Sequence, residues 1–482
     1  MVVVWVLLVV FFPAVVQADW GPDVKLTNFV NKAEEHPRVA CYNNYVHVVW
    51  YEEAGGAGYY LRSTDNGTSW GSPFRLWDSS GYLPSIAAND SFVHVAWQIP
   101  GPGRCVYRRS SDNGSTWGRF DTVTFSGYGW PFLAVAGDTV YLLAYDGFLY
   151  REVIKKSTDR GLTWGPFQNV APMGSRGGFA LCSPYLHVSL EKQDTITISP
   201  EQYYTKSTDG GGTWSPTVMV SDSDRYGSQW AAICSDRFSN PHITWFDYKY
   251  SPYPLTGDIF HRASRDTGKT WGAIDSLTVE HRAKASSIVA QRDTLHLAWE
   301  DDRVQPNTNQ EIYYRMSTDL GRTWGSVERL TYVDENAMFP SLSVGDTFLH
   351  LVWTDSRPDT IASYRQIYYK RKTLFPSGVE GSISFKLGRT EAILRVFPNP
   401  SKSSFWIYSS ACGISIYDMS GRLVRHLVST PKANSQKPIA VFLWDGRDDS
   451  GREVRSGEYF IQMKSSKGVK VTKKVTVLKG DK

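Results

Sequence analysis

The sequence predicts an all-β chain, a seven-bladed β-propeller followed by a small β-sandwich. Three observations carry this: an octet that recurs six times at blade-like spacing, seven segments that read as second strands, and a change of pattern beyond residue 372. The chain has 482 residues, 14% of them aromatic and only 41% hydrophobic, which suits many short strands better than buried helices.

The octet occupies Ser63 to Trp70, Ser110 to Trp117, Ser157 to Trp164, Ser207 to Trp214, Ser264 to Trp271 and Ser317 to Trp324. Its aspartates, Asp65, Asp112, Asp159, Asp209, Asp266 and Asp319, are spaced by 47, 47, 50, 57 and 53 residues. A carboxylate that accepts turn N–H groups, a glycine that permits positive φ and a tryptophan that packs beside the preceding strand make a hairpin turn joining two strands. Two further strand-like stretches stand ahead of each octet and one follows it, so each unit has strands A to D. Counting B strands gives Val46 to Trp50, Val93 to Trp97, Val140 to Tyr145, Leu186 to Leu190, His242 to Trp245, Leu295 to Trp299 and Leu349 to Trp353.

The last unit has no octet after Tyr368-Tyr369. Trp20-Gly21-Pro22-Asp23-Val24-Lys25-Leu26-Thr27 reads like Trp324 to Thr331, a D strand with its Trp-Gly. The N-terminal segment is therefore expected to complete the seventh sheet and close the ring, removing both edges.

The motif S-x-D-x-G-x-T-W at this spacing resembles the Asp-box, or BNR, repeat of sialidase-like propellers, over residues 20 to 372. That resemblance implies six blades, the alternative to the seven counted here. After a linker at 373–394, residues 395–482 carry Val396-Phe397-Pro398-Asn399-Pro400, Ile416 to Val424, Trp444 to Gly451 and Ser456 to Phe460, ending in the basic strand Lys473 to Lys479. This order resembles the C-terminal sorting domain of type IX secretion cargo. It implies an immunoglobulin-like sandwich, the type IX machinery as partner, and a secreted or outer-membrane-surface location. An ordinary carbohydrate-binding or spacer sandwich is the alternative.

Met1 to Ala18 is almost wholly apolar and ends in Val16-Gln17-Ala18, as a cleaved export signal would, an uncleaved anchor being the alternative. The domains are thus expected at 1–18, 19–372, 373–394 and 395–482. Of the net charge of +4, the tail from Arg395 holds 16 basic and 7 acidic residues, which leaves the body acidic and argues against nucleic acid as a partner. Cys41, Cys105, Cys182, Cys234 and Cys412 lack the short spacings of a metal knuckle or redox pair, and no motif calls for a cofactor.

Chemistry in a ring of repeats needs residues that break the symmetry. His47, His94, His187, His242, His296 and His350 recur at one place on strand B and read as packing, not as metal ligands. The octets lie on C-to-D turns, so a cleft is expected at the other end, from B-to-C and D-to-A loops. These offer Tyr128, Trp130, Tyr226, Trp230, Asp247 and Tyr248 as ligand-binding candidates, and Asp302, Arg303, Asp355 and Arg357 as charged ones. A local salt bridge ordering each loop is the competing reading of Asp302-Arg303 and Asp355-Arg357.

The sialidase resemblance implies an arginine triad, matched in part by Arg38-Val39-Ala40, and an acid/base Asp, where this chain has Glu52-Glu53. No motif places a tyrosine nucleophile. The first reading is a non-catalytic exported module that binds a glycan or an extracellular protein. The second is a glycoside hydrolase, an exo-α-sialidase included, with Arg38, Glu52, Asp302, Arg303, Asp355 and Arg357 as its candidate catalytic residues, and with Asp247, Asp302 and Asp355 as candidates for the two facing carboxylates that general glycoside hydrolysis requires.

Overall fold

A computed structural model describes residues 20–28, 33–78, 81–99, 104–124, 129–172, 174–194, 196, 199–251, 256–305, 309–332, 335–357, 364–374, 385–387, 390–392, 394–397, 405–409, 413–428, 440–464 and 470–477. The expected export signal, Tyr128 and Cys412 lie outside them. The chain divides into two units, Met1–Leu374 and Phe375–Lys482.

All regular structure described is β. The first unit holds seven four-stranded antiparallel sheets among the described residues, in the arrangement of a propeller. Their first strands are Glu34–Tyr42, Tyr82–Asn89, Phe132–Ala136, Ser175–Cys182, Ser228–Ser235, Ala283–Gln291 and Ala337–Val344. Each packs on the first strand of the next sheet, and the seventh returns to the first, so these strands form the inner wall of a closed ring. The outermost strand of the seventh sheet is Val24–Lys25, with Val24 opposite Tyr369 and Lys25 opposite Tyr368. The core lies in the seams: Val46, Val48 and Trp50 of the first sheet pack with Val352, Ile367 and Tyr369 of the seventh.

The octet turns are built alike. In the first, Asp65 Oδ1 accepts from Thr68 N at 3.0 Å and Ser69 N at 2.8 Å, and Ser63 Oγ accepts from Gly67 N at 2.8 Å. In the third, bonds from the Thr163 hydroxyl and amide hold the Asp159 carboxyl well below its ordinary range. The tryptophan joins a cluster that includes its own sheet and also reaches across the seam. Trp117 meets Tyr60 of the preceding sheet edge-on at 4.8 Å, and Trp70 meets Tyr369 likewise. A flat ring on a hairpin tip finds too little of its own sheet to cover it, and the neighbour supplies the rest. In the seventh sheet, which lacks an octet, Trp20 takes this place against Tyr314 at 5.1 Å.

The same tyrosines receive the strand-B histidines, as in His47 Nδ1 to Tyr60 Oη at 2.7 Å and His94 Nδ1 to Tyr107 Oη at 2.6 Å. They also abut the octet glycine of the next sheet. A Cβ on Gly114, whose φ is +77°, would stand 1.8 Å from Tyr60 Oη. Gly114→Ala is therefore expected to cost about 2–4 kcal/mol from combined overpacking and backbone strain. Gly137→Ala, at φ +54° with nothing within 4 Å, keeps the strain without the clash. Thermal melts should show a markedly larger drop for Gly114→Ala; equal drops would mean that the seam yields.

In the second unit, Leu394–Phe397, Phe405–Ser409 and Ala440–Trp444 form one sheet, and Leu423–Val428, Gly413–Asp418, Gly457–Lys464 and Lys470–Val477 another. Ile407, Phe442 and Trp444 of the first share a core with Ile416, Ile461 and Val475 of the second. Two turns repeat one design: Asp418 Oδ1 accepts from Ser420 N and Arg422 N at 3.0 and 3.1 Å, and Asp448 Oδ1 from Ser450 N and Arg452 N, both at 2.9 Å. Cys41, Cys105, Cys182 and Cys234 are free thiols.

Candidate functional site

Hydrogen bonds from Asn66 N to Asn44 O and from Asn113 N to Ser91 O tie octet turns to A-to-B turns. The B-to-C and D-to-A loops therefore lie at the opposite end of the ring. There the inner strands share a defect. Their pairing with strand B slips between Glu35 and Arg38, Tyr82 and Ser85, Gln229 and Ala232, and Met338 and Ser341. At these bulges His36, Leu83, Trp230 and Phe339 have φ of 47°, 51°, 51° and 55°. Left-handed backbone at bulky residues costs about 1–3 kcal/mol each and persists only where the surroundings impose it. Trp130, before Pro131, holds the corresponding sequence place in the third sheet and is half-buried.

Carboxylates from the preceding sheet hold two of these bulges. Glu191 Oε1 accepts from Trp230 N at 2.7 Å, and Glu300 Oε2 from Phe339 N at 2.9 Å. Burial pushes the Glu300 carboxyl up to about 7, against the Phe339 N–H bond, and pushes Glu152, beside the amide of Gly177, up to about 8.

Two groups of side chains result. In the first, His36 stacks on Phe339 with centroids 3.8 Å apart and lies parallel to Tyr51 at 5.7 Å, which meets Tyr82 edge-on at 5.4 Å. Tyr51 Oη donates to Glu35 Oε2 at 3.3 Å. Burial, then the charge of Glu53, pushes the Tyr51 hydroxyl up to about 12, so it stays protonated and acts as a donor. Arg365 pairs with Glu35 and lies 3.5 Å from Glu53. Arg38 has no carboxylate within ion-pair reach among the described residues; its guanidinium bonds Pro37 O at 3.1 Å, and desolvation lowers its pKa despite Tyr51. Glu52 is buried at the end of its strand, opposite Glu34, away from the Tyr51 hydroxyl bond.

In the second group, Trp230, 42% exposed, lies 5.3 Å from Phe246, which meets Tyr248 edge-on at 5.0 Å. Tyr226 is exposed, its amide bonded to Asp224. Asp247 accepts from Ser228 Oγ at 2.6 Å and Lys249 N at 2.8 Å, and burial raises its pKa. Beneath it, Glu201 accepts from Ser221 Oγ at 2.6 Å and Ser199 Oγ at 2.9 Å, and burial pushes it up to about 7.

The remaining charged candidates serve their own loops. Arg357 donates from Nε to Asp355 Oδ1 at 3.0 Å and from Nη2 to Asp23 at 2.9 Å, and Asp355 also takes the indole N–H of Trp353 at 2.8 Å. In the sixth sheet the partner of Arg303 is Asp301, not Asp302: Nε to Oδ1 is 3.0 Å, and Trp299 Nε1 reaches Asp301 at 3.2 Å. Strand alternation explains this correction, since residues 299, 301 and 303 share a face while Asp302 turns to Arg282 at 3.8 Å. Sequence reasoning did not find His36, Glu35, Tyr51, Arg365, Phe339, Glu191 or Glu201. Repeated X-Pro pairs at the start of strand A mark the places of His36 and Phe339 but not their conformation, and nothing comparable marks the others. No group of three or more His, Cys, Asp or Glu side chains with metal-binding geometry occurs among the described residues.

Residues 395–478 match the family model described as a secretion system C-terminal sorting domain. No curated protein sequence matches the chain. Among solved structures, a protein of unknown function from Dyadobacter fermentans DSM 18053 aligns at 12% identity and a TM-score of 0.50, over 75% of this chain and 100% of its own. A polysaccharide lyase of family PL25, an ulvan lyase, aligns at 14% identity and 0.52, over 72% and 95%. An ulvan lyase structure of that family bound to -[GlcA(1-4)Rha3S]- aligns at 13% identity and 0.52, again over 72% and 95%. At such identities the likeness is one of fold, and together with the tail it makes this chain a propeller-fold protein bearing a type IX secretion sorting domain, secreted or cell-surface, of Bacteroidetes type.

Proposed function

We propose that the first unit is a seven-bladed propeller of Asp-box repeats that binds an extracellular glycan without cleaving it. Residues 1–18 are its export signal, 373–394 a linker, and the immunoglobulin-like tail 395–482 its address to the type IX machinery. The observation that supports glycan binding is Trp230: a buried glutamate bonds its amide in a left-handed conformation, and the indole is left partly in solvent next to Phe246, which in turn meets Tyr248. Sugars are recognised by aromatic faces with a few fixed polar groups at the edge. Arg38, with no carboxylate partner among the described residues, suits a ligand that brings its own anionic group.

A glycan array probed with the full chain is expected to show binding that falls about tenfold or more in Trp230→Ala, the scale of one lost stacking contact. Unchanged binding would remove Trp230 from the site. The second reading is an enzyme, favoured by the Tyr51–Glu35 bond beside Arg38, which places a proton donor, a carboxylate and a cation together. Release of aryl alcohol from aryl glycosides, or of unsaturated uronate from polysaccharides, abolished by Arg38→Ala, would establish it over the first.

A further inference from the structure

The B-to-C loop of the third sheet breaks the ring's symmetry. Between Thr139–Asp146 and Arg151–Ser157 the chain turns through Gly147-Phe148-Leu149-Tyr150, with Phe148 78% exposed, Leu149 55% and Tyr150 66%. Three successive bulky apolar side chains in water call for an explanation. The turn is not slack: the buried Asp146 accepts from Phe148 N and Leu149 N, both at 3.1 Å, and Arg151 Nε lies 3.5 Å from its other oxygen. Tyr150 has φ of +49°. A staple of this kind presents apolar groups in a fixed direction, where a floppy tip would bury them.

The finger stands at the same end of the ring as Trp230 and His36, and the sheet below it continues the aromatic character inward. Tyr145, half-buried, stands one residue before the end of strand B, and Trp130 precedes strand A on the inner wall. Trp130, Tyr145 and the finger thus mark a track from the inner strand to the B-to-C loop, across roughly one to two strand spacings.

We infer that this track is an outer subsite for a carbohydrate chain, so that the propeller takes a polymer lying across the ring and not only a terminal sugar. This rests on the glycan reading above. Three side chains are far too small a surface for a stable protein partner, which needs about 800 Å² on each side. An anionic membrane is disfavoured by charge, because 36 basic and 41 acidic residues precede Arg395. Stacking on sugar faces needs rigid rings and no net charge.

The test uses the full chain and ladders of uronate-containing and of neutral oligosaccharides, from disaccharide to octasaccharide, in calorimetric titrations. Wild-type affinity is expected to rise with length. Combined Phe148→Ser, Leu149→Ser and Tyr150→Ser should remove at least about tenfold from the octasaccharide while leaving the disaccharide within about twofold, and Trp230→Ala should weaken every length. A length gain that survives the triple substitution overturns the outer subsite and leaves the glycan reading standing. If no ladder binds the wild type, both fall. Sedimentation with phosphatidylglycerol vesicles, lost in the triple variant, would instead assign the finger to lipid and overturn the inference.

Discussion

Deleting residues through Thr27 is expected to lower the melting temperature of the first unit by more than about 10 °C and to drive it into oligomers. This stretch holds the seventh sheet at many points. Gly21 N donates to Arg371 O and Leu26 N to Ile367 O, both at 2.8 Å, while Thr27 Oγ1 donates to Gln366 and accepts from Ile367 N at 2.8 and 2.9 Å. Asp23 sits 2.9 Å from Arg357 and 2.8 Å from Lys370, and Leu26 lies in the seam core. Each net hydrogen bond contributes about 1 kcal/mol and the buried leucine about 2, so the total approaches the whole stability of an ordinary domain. The deletion also exposes the edge of Gln366–Thr373 to other chains. Size-exclusion chromatography and thermal melts check both parts. A monomer with an unchanged melt would mean that closure is dispensable.

Stability of the first unit is expected to peak near pH 6.5. Burial pushes His47, His94, His296 and His350 down to about 3, and His187 and His242 down to about 4. The unfolded chain, whose histidines titrate near 6.5, takes up protons first as pH falls, so the neutral histidines stabilise above about 6.5 and that contribution drains away below it. The slope is at most about 1.4 kcal/mol per pH unit for each histidine. Glu152 at about 8, and Glu201 and Glu300 at about 7, have the opposite sign: folded, they hold protons that the unfolded chain has shed, so stability grows as pH falls toward the ordinary glutamate value. Only the glutamates act between pH 8 and 6.5. Below that these six histidines, joined by His36 at about 3 and by His261, which burial also lowers, outnumber them, and below about 4.5 the glutamates add nothing further. Calorimetric melts across this range should give an asymmetric dome, flattened on the alkaline side by Glu152→Gln. A melting temperature that climbs steadily from pH 6.5 to 9 would contradict the carboxyl half of this account.

What the sequence revealed was what depends on near neighbours. Ser63, Asp65 and Gly67 make their bonds within one turn, so residue types alone define it. The closing segment was legible because Trp20-Gly21 copies Trp324-Gly325. The packing role of the histidines followed from their recurrence, although their strand-C partners, a tyrosine for five of them and His261 for His242, did not. The site was less legible. A residue before proline ordinarily stays extended, so nothing local announced left-handed backbone at His36 or Phe339; carboxylates such as Glu300, from the neighbouring sheet, accompany it. The Tyr51–Glu35 bond likewise depends on the pairing of two strands whose register slips beside it. Of the charged loop residues, Asp301 was passed over for Asp302 because the strand runs further than its hydrophobic pattern, to Gln305, and alternation decides which carboxylate faces Arg303.

The seams between sheets point one way round. Tyr60 addresses Gly114 of the second sheet, Tyr107 Gly161 of the third, Tyr204 Gly268 of the fifth and Tyr369 Gly67 of the first. These four junctions offer the same socket and the same plug, so a duplicated unit spliced in between two of them would fit on both flanks, whereas Gly321 meets His261 and Trp20 meets Tyr314. The run of octets ends at the seventh sheet, where Trp20 takes the place of the missing octet and the first and last strands of the unit, Val24–Lys25 and Gln366–Thr373, meet.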